Sequence, residues 1–137
     1  MEWRRDGCVL FLCPRQVAEI AAGRLVYVMI ASHKIFLGTD SAPHTQDAKE
    51  SCCGCAGCFS HHAAIELYAQ VFYQADALDK LEAFASINGP DFYGLPHNKS
   101  KITLQKNSWQ LPDSISYEGS QLIPLGAGSS LNWELIG

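Results

Sequence analysis

The apolar positions of this chain change their period along its length. Early on they come in unbroken runs. Leu25-Val26-Tyr27-Val28-Met29-Ile30 is continuous and rich in branched residues, which predicts a strand buried on both faces. Ile35-Phe36-Leu37, after Lys34, predicts a second short strand that runs directly into a polar turn. Between them and the N-terminus, Pro14 and Gly23 bracket a short predicted helix over 15–22. Beyond residue 60 the period becomes helical. Ala64, Tyr68, Val71, Phe72 and Ala75 form one stripe, with Ser60 placed to cap it, and predict a helix over 60–75. Leu78, Leu81, Phe84 and Ala85 form a second stripe over 77–87, with Asp76 as its cap and Asn88-Gly89-Pro90 as its stop. Residues 92–121 read as loop, with one edge-strand candidate around Ile102 and Leu104. Two short tail strands follow at 121–125 and 131–136, broken by Gly126-Ala127-Gly128. Tyr68, Phe72, Phe84, Trp109 and Trp133 are the expected core.

Strand, polar loop, helix, helix is an α/β order. In such folds the loops after the C-terminal ends of strands build the sites. Charge narrows the partners. Charged residues are 18% of the chain, with a net charge of −4 and no lysine or arginine cluster; a nucleic-acid surface has no electrostatic footprint here. No apolar run approaches the roughly 18 residues of a membrane span. Six cysteines are present, but four of them crowd into positions 52–58, too close together to staple distant parts of a fold. Arg4 and Arg5 precede an apolar run, 8–13, shorter than a secretory core, with no small-residue cleavage site after it. A reducing compartment is the expectation.

Two constellations carry possible chemistry. Asp40 follows the strand at 34–37, and the turn Ser41-Ala42-Pro43 returns His44 to the same mouth. An aspartate there can ligate a metal and accept a proton from bound water, and the histidine can meet an anionic substrate. The plainer alternative has Asp40 capping the turn and His44 on the surface. The second constellation is Cys52, Cys53, Cys55 and Cys58, followed by His61 and His62. It has the crowding of a zinc site, although all ligands would come from about ten consecutive residues where closed sites usually join two separated pairs. Alternatively the small residues of this loop let its backbone approach another group closely. Lys49 and Glu50 read as a solvated pair.

The motif Gly38-Thr39-Asp40-Ser41-Ala42-Pro43-His44, then Lys49-Glu50, then Cys53-Gly54-Cys55-Ala56-Gly57-Cys58-Phe59, resembles the homodimeric, bacterial and plant type dihydroorotases. The resemblance continues through Leu81-Glu82-Ala83-Phe84, Asn88-Gly89-Pro90-Asp91-Phe92-Tyr93-Gly94-Leu95-Pro96 and Ile123-Pro124, over about 32–135. It implies a zinc amidohydrolase that interconverts N-carbamoyl-L-aspartate and L-dihydroorotate in pyrimidine biosynthesis, on a TIM barrel with a two-zinc centre. Strand 34–38 would be the eighth barrel strand. Asp40 would ligate one zinc and act as general acid and base, His44 would bind the substrate carboxylate, and the Ala56 backbone would contact the ring. Small neighbours beside Ala56 suit that close approach. The family's His-x-His pair, carboxylated lysine and further histidines have no counterpart in this sequence, so the resemblance implies the C-terminal part of a barrel domain over 32–137, with 1–31 unassigned.

Those implications set the expected cofactor as zinc and the expected small-molecule partners as dihydroorotate and N-carbamoyl-L-aspartate. A homodimer or association with a full-length dihydroorotase is left open. The expected location is the cytoplasm, or a plastid or mitochondrion in a plant. Two rival readings stand beside the enzyme: an inactive module docking through the helices at 60–75 and 77–87, and a small zinc domain on the cysteine loop.

Overall fold

In the computed structural model the described residues are 10–12 and 32–137. The helix expected at 15–22 and the strand expected at 25–30 lie outside them. The strand at the centre of the site is present: β2, Ile35–Leu37, pairs in parallel with β1, Leu10–Leu12. Its partner therefore falls within the apolar run at 8–13. Phe36 is buried at 4% exposure, and its ring packs on Phe92 and Tyr93 with centroids 5.5 and 5.8 Å apart.

After the short helix α1, Gln46–Lys49, a single 3₁₀ turn at His61–Ala63 leads into α2, Ala64–Gln74. The apolar stripe of α2 forms the main core as its spacing requires. Tyr68, Ala69, Val71 and Phe72 bury against Leu81 and Phe84, with Ile35, Leu37, Leu104 and Trp133 packed around them. The ring of Phe84 lies 5.0 Å from that of Tyr68 and 5.1 Å from that of Phe72. Ser60 and Asp76 do not cap helices through their side chains. The Ser60 hydroxyl is used elsewhere, and Asp76 takes φ 52 in the tight turn between the helices.

The second helical stripe runs further than its stop signal allowed. A 3₁₀ turn at Leu78–Lys80 is followed by a π-helical turn at Ala83–Ile87, and then by α3, Asn88–Tyr93. Asn88-Gly89-Pro90 is thus inside helical chain and not at its end. A proline in a helix lacks an N–H and crowds the carbonyl one turn earlier. The wider π turn, closed by Asn88 N–H donating to the Ala83 carbonyl, provides the local relief that such insertions need. The helix stops instead at Gly94, whose φ of 66 is left-handed; Gly94 N–H donates to the Asp91 carbonyl and Leu95 N–H to that of Pro90. This pair of bonds is a Schellman ending.

The stretch expected as loop over 92–121, with an edge strand near Leu104, and the tail strands expected at 121–125 and 131–136 together form one long interrupted antiparallel hairpin over 104–135. Leu104–Gln105 (β3) pairs with Glu134–Leu135 (β8), Trp109–Gln110 (β4) with Ser130–Leu131 (β7), and Ile115–Tyr117 (β5) with Ser120–Leu122 (β6). The innermost turn is Glu118-Gly119, both at positive φ, 49 and 80, as a two-residue I′ hairpin demands. Gly126 and Gly128 also take positive φ, and a Cβ at Gly128 would sit 2.5 Å from the Asp113 carboxylate. Leu111, Leu131 and Ala63 make a second small core that Trp109 packs against. The strands among the described residues form four two-stranded sheets and no closed barrel. No described helix is long and apolar enough to cross a membrane.

Candidate functional site

Leaving β2, the chain turns sharply. Asp40 is held at φ 44, a left-handed conformation that only asparagine, aspartate and histidine adopt with any frequency apart from glycine. Its carboxylate is exposed and makes no hydrogen bond or ion pair among the described residues. The alternative in which Asp40 caps the turn is therefore not what the structure shows. Pro43 closes the next turn, with His44 N–H donating to the Ala42 carbonyl at 2.9 Å, and His44 is half-buried four residues beyond Asp40. A non-glycine residue held in a sparsely populated conformation at a strand mouth is where functional strain gathers.

The second half of the site is the cysteine loop. It lies parallel to the Asp40 segment through a bridge between Ser41 and Cys58, and Ala42 N–H donates to the Cys58 carbonyl at 2.9 Å. Gly57 makes that approach possible: at φ 100, a Cβ on it would stand 2.6 Å from the Ala42 Cβ. Ser60, fully buried, fastens the same two segments. Its N–H donates to Ser41 Oγ and its hydroxyl to the Thr39 carbonyl, each at 3.2 Å. Lys49 does not pair with Glu50. It reaches across the loop to donate to the Gly57 carbonyl, while Glu50 accepts from Gln46 Nε2 at 2.8 Å. Asp40, His44 and the Ala56 backbone are thus carried on two segments latched side by side, with Ala56 exposed.

Ser60 and Lys49 were not legible as site residues in the sequence, because a serine before a helix reads as a cap and a Lys-Glu pair as solvated. Ser60→Ala is expected to lower the unfolding free energy by about 1 kcal/mol, since it removes the hydroxyl that the part-buried Thr39 carbonyl accepts from. It should also speed amide exchange at Ala42. Equal urea midpoints and unchanged exchange would show that the clamp does nothing.

The metal reading of the cysteines receives a correction. Cys52, Cys53 and Cys55 are exposed and Cys58 is half-buried. Among the described residues no group of three or more His, Cys, Asp or Glu side chains is arranged to hold a metal ion. His61 is exposed, and His62 stacks on Phe59 with ring centroids 5.5 Å apart. Both ring nitrogens of His62 are buried without a hydrogen-bond partner among the described residues. Desolvation lowers its pKa below the ordinary histidine value, so it is neutral in the folded chain over a wider range. The unfolded chain then binds more protons below about pH 6.5, and stability falls as pH drops from there toward the folded value. His62→Phe keeps the stack on Phe59, removes both orphaned nitrogens and is expected to raise stability by about 1 kcal/mol. It should also flatten the acid loss when urea unfolding is compared about one unit above and below pH 6.5; an unaltered pH slope would contradict the assignment.

With this geometry in view, similarity to known proteins becomes informative. The chain is 60% identical to the dihydroorotase of Photobacterium profundum over 103 residues, which are 75% of this chain and 30% of that protein. The chain is homologous to the dihydroorotases. It is 59% identical to the dihydroorotase of Psychromonas ingrahamii over the same share of each chain. Among solved structures, the Saccharomyces cerevisiae dihydroorotase in complex with 5-fluoroorotic acid matches with a TM-score of 0.74 and 35% identity, over 82% of this chain and 33% of that one. The Campylobacter jejuni dihydroorotase matches with a TM-score of 0.67 and 30% identity, over 90% of this chain and 34% of that one. The chain spans about 30% of the length of the dihydroorotases it matches in sequence, a share consistent with a C-terminal portion. No family model matches.

Proposed function

We propose that residues 32–137 supply the last strand and the closing loops of a dihydroorotase active site, whose reaction interconverts N-carbamoyl-L-aspartate and dihydroorotate. The observation that carries this reading is Asp40: an exposed carboxylate without a partner among the described residues, in a left-handed turn at the C-terminal end of β2, with the 56–60 loop latched beside it. On this reading β2 is the eighth strand of a TIM barrel, and its parallel pairing with β1 is the pairing such a barrel uses.

The donor set fits one ligand position of a zinc centre, Asp40, and the other ligands are not among the described residues. Zinc, when bound, supplies Lewis-acid activation of the ring carbonyl and of the attacking water. Asp40 takes the proton that the water gives up and hands it to the ring nitrogen as the amide bond breaks; in the reverse direction the same carboxylate takes the proton from nitrogen. His44 donates to the substrate carboxylate. The bound 5-fluoroorotic acid of the yeast relative is itself a pyrimidine carboxylate, the chemistry His44 would meet. The Ala56 backbone lies against the ring, and Lys49 and Ser60 hold that loop in place.

The test is a hybrid in which residues 32–137 replace the matching portion of Photobacterium profundum dihydroorotase. It is expected to hydrolyse dihydroorotate, and His44→Ala in it should raise KM by roughly 10- to 100-fold, as loss of a charged hydrogen bond does, with a smaller effect on kcat. A His44→Ala hybrid with the KM of its parent would remove His44 from the substrate site.

A further inference from the structure

The function proposed above leaves Cys52 and Cys53 unused. The motif that carries the resemblance begins at Cys53, so Cys52 turns a single thiol into an adjacent pair. Both are exposed, and their Sγ atoms stand 3.9 Å apart. The loop under them is held in shape: Ser51 Oγ donates to the Ala48 carbonyl at 2.9 Å, Gly54 N–H to that of Ser51 at 3.0 Å, and Cys55 N–H to that of Ala48 at 3.3 Å.

Two fates are open to such a pair. A direct disulfide needs sulfurs about 2.05 Å apart on Cα atoms about 4.4–6.8 Å apart, whereas neighbouring Cα atoms across a trans peptide are held about 3.8 Å apart. Closing the bond would strain the backbone. One atom held by both sulfurs relieves that constraint. A pyramidal trivalent centre about 2.3 Å from each sulfur, with an angle of about 100° between them, spans about 3.5 Å, so the two exposed side chains need close by only about 0.4 Å from the 3.9 Å observed. Soft thiolates select soft centres. Since the described residues offer no arranged group of three or more metal-ligating side chains, the centre that fits needs two protein sulfurs and brings its remaining ligand with it.

We infer that Cys52 and Cys53 form a chelating dithiol for a monosubstituted trivalent arsenical. In the binding step two As–S bonds form and the arsenic–oxygen bond of R–As=O breaks. The oxygen leaves as water with the two thiol protons, and no atom changes oxidation state. This inference is independent of any role for Asp40 or Ala56.

The experiment uses the reduced full chain, titrated with phenylarsine oxide and followed by intact-protein mass and by loss of free thiols. One arsenical per chain at the tightest site is expected, with two thiols consumed. Cys52→Ser and Cys53→Ser should each weaken that site at least about tenfold, because a one-point attachment loses the effective concentration of the second sulfur. Cys8→Ser, Cys13→Ser, Cys55→Ser and Cys58→Ser should leave it unchanged. The exposure of Cys52 and Cys53 keeps the fold out of the comparison, and equal urea midpoints would verify that. Unchanged affinity in Cys52→Ser, or an equal loss in Cys55→Ser, would overturn the assignment.

Discussion

Asp40→Asn in the hybrid dihydroorotase is expected to lower kcat by about a thousandfold or more while leaving the fold intact. The size follows from the two duties placed on one side chain: proton transfer by a positioned carboxylate contributes about 10²–10⁴, and the same oxygen would also be lost as a metal ligand. The substitution is unusually clean at this position. Asparagine is nearly isosteric and, like aspartate, tolerates the left-handed φ of 44. No hydrogen bond to the carboxylate among the described residues is there to be lost. The unfolding midpoint should therefore not move, although zinc content should fall. A hybrid that kept its kcat to within tenfold would show that Asp40 is a turn residue and no more.

Phe72→Ala is expected to cost about 3–5 kcal/mol, the range for truncating a buried phenylalanine. At 2% exposure the ring is the middle of the α2 stripe and meets Phe84 at 5.1 Å. Helix, π turn and β2 all close on the cluster it belongs to, so the cavity has little freedom to collapse. For a domain whose total stability is of order 5–15 kcal/mol, such a loss removes at least about a fifth of it. Urea unfolding of the chain measures it, and Phe92→Ala is the control. Phe92 also touches Phe36, but it is 52% exposed and should cost far less. Equal losses at the two positions would mean that the core has been misplaced.

The sequence revealed those parts of the molecule that local chemistry decides. The period of Tyr68, Val71 and Phe72 marks the buried face of α2 because helix geometry alone sets it. The turn after Ile35-Phe36-Leu37 was readable because Asp, Ser and Pro act locally. What stayed hidden depends on distant partners. Ser60 resembled a helix cap, yet its hydroxyl is spent on Thr39, 21 residues away in sequence. Lys49 resembled half of a surface pair, yet it reaches Gly57. Asn88-Gly89-Pro90 resembled a stop, and a π turn carries the helix through it. The edge strand near Leu104 and the tail strands near 121–125 and 131–136 were readable, but their pairing into one hairpin was not, because its strands are two or three residues long and its tip is Glu-Gly, not a stronger turn signal such as Asn-Gly. The likeness to dihydroorotases was legible through the Gly38–His44 and Cys53–Phe59 motifs, whereas the way those two segments are fastened to each other was not.

The most direct test of the whole account is turnover by the hybrid itself. Dihydroorotate hydrolysis and bound zinc are measured on one sample, beside the Photobacterium enzyme and a version of it lacking the replaced portion. The account requires hydrolysis with zinc bound in the hybrid and none in the shortened enzyme, because β2, Asp40 and the latched 56–60 loop complete the site. A hybrid that folds and binds zinc but does not hydrolyse dihydroorotate would contradict it.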